Sequence, residues 1–281
     1  MFRILKKTFD TGLVTIGYPD GAAHISSTFR GAPRFDFVNW RDARAAAEVC
    51  PTAAIAIAEA DGIRQVTVDY GLCIFCGECA DADRSGAVRM SGDFELAARN
   101  RKELVFFAEY DLETNGIQHQ LSKLNQSNEP FDAEAALERS VRTAIHETLG
   151  RSLAIREVDA GSCNGCEVEI TALNNPVYDL ERLGIHFVAS PRHADMLLVT
   201  GPVTRNMELA LLKTYRATPE PKVVVAVGAC GISGGIFGRN YATIGGVDLV
   251  VPVDVYIPGC PPRPEALLYG ILLAVGRMTK K

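Results

Sequence analysis

The second half of the chain alternates between short apolar runs and longer segments with helical spacing. Five apolar runs predict strands: Leu153–Val158, Ile185–Ala189, Met196–Val199, Lys222–Val227 and Leu249–Val253. Helices are predicted from about Glu167, over about Asn206–Tyr215, and from Pro264 to about Gly276. Because the apolar runs are continuous, they predict a parallel sheet covered by helices on both faces, which is an α/β domain.

A polar stretch separates this region from the first part of the chain. Residues 113–131 are rich in Asn, Gln and Ser and predict a linker. A helix is expected after it, because an apolar residue recurs every fourth position from Leu137 to Leu149 and Gly150 can end the helix. The expected domains are therefore 1–112 and 132–281, and a length of 281 residues agrees with two domains.

Composition and charge exclude several classes of function. The net charge of −5 and the lack of a long basic stretch argue against nucleic acid as a partner. No apolar run reaches the roughly 18 residues that span a bilayer, and the first residues do not resemble a secretory signal. We therefore expect a cytoplasmic chain. In that reducing compartment its eight cysteines indicate metal or redox chemistry rather than disulfides.

The first four cysteines have the spacing of an iron–sulfur ligand set. Cys73, Cys76 and Cys79 form a C-x2-C-x2-C loop, and Cys50 is a remote cysteine followed by proline. In bacterial ferredoxins the run C-x2-C-x2-C-x3-C-P gives three ligands to one cluster, and its fourth cysteine ligates the other cluster. The spacing predicts that these four residues, the N-terminal cysteine set, bind one [4Fe–4S] cluster. A four-cysteine zinc site is the alternative.

The same pattern predicts that a second cluster has been lost from this region. Counted back from Cys50 and forward from Cys79, two complete runs would need four more cysteines. Those four substituted positions carry other residues: Trp40, Ala43, Ala46 and Asp83. In a two-cluster ferredoxin, cysteines at these four positions would together ligate one cluster. The four cysteines that remain here would together ligate the other cluster. The sequence therefore predicts one intact site and one deleted site.

The last four cysteines predict a second site in the α/β domain. This C-terminal cysteine set is Cys163, Cys166, Cys230 and Cys260. Its members lie in glycine- and proline-rich loops after predicted strands, and such loops carry the sites of parallel sheets. Four thiolates again suit a [4Fe–4S] cluster, but spacing alone leaves zinc open.

Longer strings around these cysteines resemble a known family. The segments 159–167, 190–201 and 251–262 resemble the small subunit of membrane-bound, energy-converting [NiFe] hydrogenases of the formate hydrogenlyase type. Residues 1–112 resemble the two-cluster ferredoxin-like subunit of the same complexes, through the segment 71–79 and Phe29-Arg30-Gly31. The small subunit is also similar to the 20 kDa cluster-bearing subunit of complex I. In that subunit the first two cysteines are adjacent, whereas here Asn164 and Gly165 separate them.

The resemblance implies a function and an architecture. It implies a flavodoxin-like α/β domain preceded by an α+β ferredoxin-like domain, with two [4Fe–4S] clusters in all. The chain would be the electron-transfer subunit of an oxidoreductase, not its nickel–iron subunit. Its partners would be a [NiFe] hydrogenase large subunit, membrane-arm subunits, and a ferredoxin or formate dehydrogenase-type donor. It would lie peripherally on the inner face of the cell membrane. The alternative is a complex I-like enzyme that reduces quinone.

Overall fold

The computed structural model describes residues 2–113, 116–125 and 150–276. The helices are α1 (Phe2–Thr11), α2 (Arg44–Glu48), α3 (Glu78–Ala82), α4 (Gly165–Ala172), α5 (Arg205–Ala217), α6 (Gly228–Ser233) and α7 (Pro264–Val275). The strands are β1 (Pro33–Phe35), β2 (Ile55–Ala60), β3 (Ile63–Asp69), β4 (Val88–Met90), β5 (Val105–Leu112), β6 (Gln118–Asn125), β7 (Leu153–Asp159), β8 (Ile185–Phe187), β9 (Met196–Thr200), β10 (Val223–Val227) and β11 (Val255–Ile257). Short 3-10 helices cover Arg101–Leu104, Leu180–Leu183, Pro191–His193, Gly235–Phe237 and Val247–Leu249.

The C-terminal part contains the predicted parallel sheet. Its strand order is β11-β10-β9-β7-β8, and every neighbouring pair is parallel. Strands β9 and β10 are buried along their whole length, which explains their continuous apolar sequence. Buried side chains form separate apolar clusters on the two faces of the sheet, and α7 belongs to one of them. The predicted α/β fold of this part is therefore confirmed.

The N-terminal part has two antiparallel sheets. Strands β1 and β4 form a two-stranded ribbon, and β2, β3, β5 and β6 form a sheet in the order β2-β3-β5-β6. One face of the larger sheet packs on α2 and on the aromatic residues Phe37 and Trp40. The ribbon, the short helices and this sheet place the N-terminal cysteine set.

Two sequence predictions differ from the structure. Leu249–Val253 is not a strand, because a 3-10 helix ends at Leu249 and Pro252 lacks the N–H that a strand needs; the strand starts at Val255 instead. Residues 118–125 of the predicted linker form β6, which pairs with β5. The polar composition of β6 misled the prediction. Only a few of its side chains turn inward, among them Leu121 and Leu124. The predicted helix over 132–150 lies outside the described residues, apart from Gly150.

The N-terminal part packs directly on the parallel sheet. Ala98 and Tyr256 exchange two backbone hydrogen bonds of 2.9 and 2.8 Å, which adds a bridge to the edge strand β11. Tyr18 is buried in the apolar cluster beneath α7, and the guanidinium of Arg182 donates to the Tyr18 carbonyl at 2.6 Å. The segment before β1 is therefore part of the core of the α/β domain. Among the described helices, none is long and apolar enough to cross a bilayer.

Candidate functional site

The N-terminal cysteine set surrounds one cavity. Cys50 follows α2, Cys73 and Cys76 lie between β3 and α3, and Cys79 lies in the first turn of α3. All four line the same cavity, together with Pro33, Phe35, Ile55 and Val68. The structure therefore brings together the four residues that the spacing grouped, including the remote Cys50.

The backbone of the cysteine loop is shaped around this cavity. Phe75, between Cys73 and Cys76, has a φ of 54°, a left-handed conformation that is uncommon for residues other than glycine. Two hydrogen bonds of 2.8 and 2.7 Å from the guanidinium of Arg101 hold the Asp69 carboxylate at the start of the loop. Asp69 in turn accepts a bond from the backbone N–H of Gly71 at 2.8 Å. The hydrogen bonds of Asp69 thus hold the cysteine loop in place from outside the cavity.

Backbone N–H groups point at two of these sulfur atoms. Ala54 donates to Cys50 Sγ at 3.2 Å, and Phe75 donates to Cys73 Sγ at 3.4 Å. Burial raises the pKa of Cys73 to about 12, and the other three thiols of the set contribute to this shift. Burial and the neighbouring thiols Cys76 and Cys50 raise the pKa of Cys79 to about 11. Thiols so close together, in surroundings that disfavour their charge, suit a bound cation or cluster.

The C-terminal cysteine set lies at the carboxyl edge of the parallel sheet. Cys163 and Cys166 follow β7, Cys230 follows β10 and Cys260 follows β11. Asn164 has a φ of 69°, so this loop also turns through the left-handed region between its two cysteines. Burial is the main cause of the raised pKa of Cys166, and the other three thiols of the set raise this pKa further. Burial likewise raises the pKa of Cys230 to about 11.

Two glycines leave space beside these sulfur atoms. Gly228 has a φ of 75°, and a Cβ on it would lie 2.8 Å from Cys166 Sγ. Gly235 has a φ of 53°, and a Cβ there would lie 2.9 Å from Cys230 Sγ. Any other residue at either position would clash with a thiol or strain the backbone. The sequence around Cys230 is therefore rich in glycine because the backbone passes close to the sulfur atoms there.

Two half-buried carboxylates, those of Glu157 and Glu167, lie near the C-terminal cysteine set. Thr200 donates a hydrogen bond to Glu167 Oε1, whereas Glu167 Oε2 is buried without a partner among the described residues. Glu157 also has a buried oxygen without such a partner. Burial raises the pKa of Glu157, and the neighbouring Glu167 and Asp159 carboxylates add to the shift. Glu167 was noticeable from the sequence because it follows Cys166; Glu157 was not.

The four substituted positions are filled by packed protein. The Trp40 side chain is 1% exposed and lies 5.2 Å from the Phe35 ring, centroid to centroid. Ala43 and Ala46 are fully buried in the same apolar cluster. Asp83 accepts hydrogen bonds from the Ser85 hydroxyl at 2.7 Å and the Val88 N–H at 2.9 Å, so it shapes a turn.

The loops that carry the two cysteine sets are in contact. The hydroxyl of Ser233, in the Cys230 loop, donates to the carbonyl oxygen of Gly71 at 2.8 Å. Cys76 is close enough to Cys260 to contribute, after burial and Cys163, to the raised pKa of Cys260. Arg30 donates to the Cys76 carbonyl at 2.7 Å. Sequence reasoning missed Ser233 and Arg30, although both lie in segments that it had singled out.

Both sets fit a cubane cluster in their donor chemistry. Each offers four thiols. The N-terminal set lines one cavity and accepts backbone N–H bonds at two sulfurs, and glycines leave space beside two sulfurs of the C-terminal set. In the described ranges, no three His, Cys, Asp or Glu side chains converge as ligands of a single metal ion. The four thiolates of a cubane bind four separate iron atoms, so they need not converge on one point.

The chain is similar to known proteins over its C-terminal half. Residues 163–274 match the family described as the 20 kDa subunit of NADH ubiquinone oxidoreductase. Formate hydrogenlyase subunit 7 of Escherichia coli K12 is 51% identical over 142 residues, which cover 50% of this chain and 56% of the relative. The probable membrane-bound hydrogenase subunit mbhJ of Pyrococcus furiosus is 52% identical over 133 residues, which cover 47% of this chain and 79% of the relative.

A solved structure is also similar. It is the archaeal membrane-bound sulfane sulfur reductase, a respiratory membrane complex, with 39% identity and a TM-score of 0.42. The match covers 50% of this chain and 76% of the matched chain.

Proposed function

The chain belongs to the family of the 20 kDa subunit of NADH ubiquinone oxidoreductase, which includes hydrogenase subunits, and on this premise we propose that it is an electron-transfer subunit with two [4Fe–4S] clusters. One cluster would be held by the N-terminal cysteine set and the other by the C-terminal set. The observation that carries the proposal is the contact between the two cysteine loops, in which Ser233 of the Cys230 segment donates to the Gly71 carbonyl before Cys73 at 2.8 Å. Two redox sites on loops in contact would allow electrons to pass from one cluster to the other.

The clusters, when bound, would supply one-electron oxidation and reduction. The residues of the chain set the conditions for that chemistry. Ala54 and Phe75 donate N–H groups to the sulfurs of Cys50 and Cys73, and such bonds favour the more negative, reduced form of a cluster. Cys73 and Cys166 are half-buried, which limits the access of water to their sulfurs. Ser233 bonds the Cys230 segment to the loop that carries Cys73, and Arg30 holds the carbonyl of Cys76.

The partner at the C-terminal set would be a [NiFe] hydrogenase large subunit. The spacing of Cys163 and Cys166 supports this choice, because Asn164 and Gly165 separate the two cysteines as in hydrogenase small subunits. The similarity to subunits of formate hydrogenlyase and a membrane-bound hydrogenase supports it as well. Membrane-arm subunits would hold the chain peripherally at the inner face of the membrane. A ferredoxin or a formate dehydrogenase-type protein would exchange electrons at the N-terminal set.

The second candidate is a quinone-reducing enzyme of the complex I type. The family description favours it, since it names an NADH ubiquinone oxidoreductase. In that case the large partner would lack the two cysteine pairs that hold nickel and iron. The chain itself would carry the same two clusters, so the two candidates differ only in the partner.

The test uses the tagged chain purified anaerobically with its natural partners. We expect hydrogen gas to reduce both cluster signals in the wild-type complex, seen by electron paramagnetic resonance (EPR). A Cys166→Ser complex should keep the N-terminal signal but lose its reduction by hydrogen. A Cys76→Ser complex should keep a C-terminal signal that hydrogen still reduces. Reduction by a quinol but not by hydrogen, with a partner lacking the cysteine pairs, would favour the second candidate.

A further inference from the structure

The structure contains a polar contact at residues 40–43, the segment from which the sequence predicts that a cluster has been lost. The segment 40–43 would carry two of the ligands in a two-cluster ferredoxin pattern, but here it holds Trp40 and Ala43. It leads directly into α2, and α2 leads through Val49 to Cys50. The position of Cys50 at the cavity therefore depends on how this segment is anchored.

Gln118 of β6 anchors the segment through three hydrogen bonds. Its side-chain N–H donates to the Trp40 carbonyl at 2.8 Å, and its Oε1 accepts from the Ala43 N–H at 2.8 Å. Its backbone N–H donates to the Arg41 carbonyl at 2.9 Å. Gln118 is 1% exposed, so these bonds are made away from water. The amide thus bridges the first and last residues of the segment.

Arg64 of β3 fixes the orientation of that amide. Its Nη1 donates to Gln118 Oε1 at 3.2 Å and to Asp42 Oδ1 at 3.3 Å. Its Nη2 donates to the Gly116 carbonyl at 2.9 Å and lies 2.7 Å from Glu59 Oε1. Arg64 is also 1% exposed, and a buried guanidinium is tolerated only when it is paired and hydrogen-bonded in this way.

We propose that Gln118 and Arg64 replace the lost cluster as the anchor of residues 40–43 and thereby position Cys50 for the N-terminal cluster. A cluster bound at the four substituted positions would tie this segment to the chain near residue 83 through iron–sulfur bonds. Here the Gln118 amide supplies the tie from β6 instead, with Arg64 holding the amide and Asp42 in place. Gln118 and Arg64 are positioning residues, since neither contacts the cavity of the N-terminal cysteine set.

The inference rests on the proposed function, because it concerns the stability of one of the two proposed clusters. It predicts a selective effect. Loss of the anchor should free α2 and Cys50, which lie in the N-terminal part. The C-terminal cysteine set is built on the edge of the parallel sheet and should not respond.

The experiment measures the release of each cluster from the anaerobically purified full chain in the presence of a ferrous-iron chelator. Gln118→Leu removes all three side-chain hydrogen bonds, to Trp40, Ala43 and Arg64. Gln120→Leu makes the same change at an exposed position of the same strand. EPR of the reduced protein follows the two clusters separately. We expect Gln118→Leu to lose the N-terminal signal at least tenfold faster than wild type. The C-terminal signal should decay at the wild-type rate, and Gln120→Leu should match wild type in both signals.

A second variant covers the case in which Gln118→Leu does not fold. Gln118→Glu keeps the acceptor for Arg64 and Ala43 but cannot donate to the Trp40 carbonyl, so it should speed the loss of the N-terminal cluster several-fold. Wild-type release rates in the soluble variants would overturn the inference. Equal acceleration of both clusters would overturn it too, since Gln118 would then serve the whole fold. A wild-type chain with no cluster on the N-terminal set would instead contradict the proposed function.

Discussion

Ser233 donates a hydrogen bond of 2.8 Å to the carbonyl oxygen of Gly71, and this bond joins the two cysteine loops. Ser233 lies at the end of α6, three residues after Cys230, and Gly71 lies two residues before Cys73. The hydroxyl also has the Ala229 carbonyl as an acceptor at 3.0 Å. The contact between the two cysteine loops therefore includes a specific polar bond.

Ser233→Ala should weaken this contact without unloading either cluster. One net hydrogen bond contributes about 1 kcal/mol, so the melting temperature should fall by a few degrees. The magnetic interaction between the two reduced clusters, read from EPR line broadening, should decrease as the loops separate. Ser122→Ala is the control, because Ser122 donates a similar bond, 3.0 Å long, to the Glu109 carbonyl within one sheet. An unchanged spectrum in Ser233→Ala would argue against a role at the contact.

Gly228→Ala should remove the C-terminal cluster and spare the N-terminal one. The added methyl group would lie 2.8 Å from Cys166 Sγ, too close for that sulfur to keep its position. Gly86→Ala is a matched control, because Gly86 has nearly the same φ of 73° and open space around its Cβ position. Both variants should carry a backbone strain of about 1 kcal/mol, but only Gly228→Ala should lose about half of its iron. Iron analysis with EPR makes the comparison.

Trp40→Ala should destabilise the N-terminal part much more than Trp40→Phe. Truncation of a buried tryptophan costs about 3–5 kcal/mol, and Trp40 packs against both Phe35 and Phe37. Its indole Nε1 is buried without a hydrogen-bond partner among the described residues, so phenylalanine would lose only packing area. Urea unfolding followed by circular dichroism tests this order. Equal losses in the two variants would mean that the indole nitrogen has a partner after all.

Glu157→Gln should stabilise the fold at alkaline pH and leave it unchanged at acidic pH. Burial raises the pKa of Glu157 in the folded chain, so the folded state keeps its proton to a higher pH than the unfolded state. Stability therefore falls as the pH rises above the unfolded value of about 4.3, until the folded group has also ionised. Melting temperatures at pH 4 and pH 8 test the sign. Glu181→Gln, at an exposed position, is the control.

The parallel sheet and the grouping of the cysteines could be predicted because both depend on local sequence. Continuous apolar runs such as Val223–Val227 identify buried strands, and the ends of parallel strands necessarily meet at one edge. The spacing of Cys73, Cys76 and Cys79 fixes a loop without reference to the rest of the chain. The ligand assignment itself remains a prediction, as do the two-cluster count and the ferredoxin-like character of the N-terminal part.

The features that sequence reasoning missed depend on distant partners. Gln118 looks like a linker residue until Arg64 and the carbonyl of Trp40 are placed around it. Likewise, nothing in the local pattern places Tyr18 in the core of the other domain, where α7 covers it. Burial of a polar or isolated residue is decided by the tertiary fold, so a single sequence gives little sign of it.

The most direct test of the two-cluster assignment is the iron, sulfide and zinc content of the anaerobically purified chain, with EPR of the dithionite-reduced protein. We predict about eight iron and eight sulfide per chain, no zinc, and two interacting [4Fe–4S] signals. About four iron atoms would mean that one cysteine set holds no cluster. About twelve would contradict the loss of a cluster at Trp40, Ala43, Ala46 and Asp83, and stoichiometric zinc would contradict redox function at one of the sites.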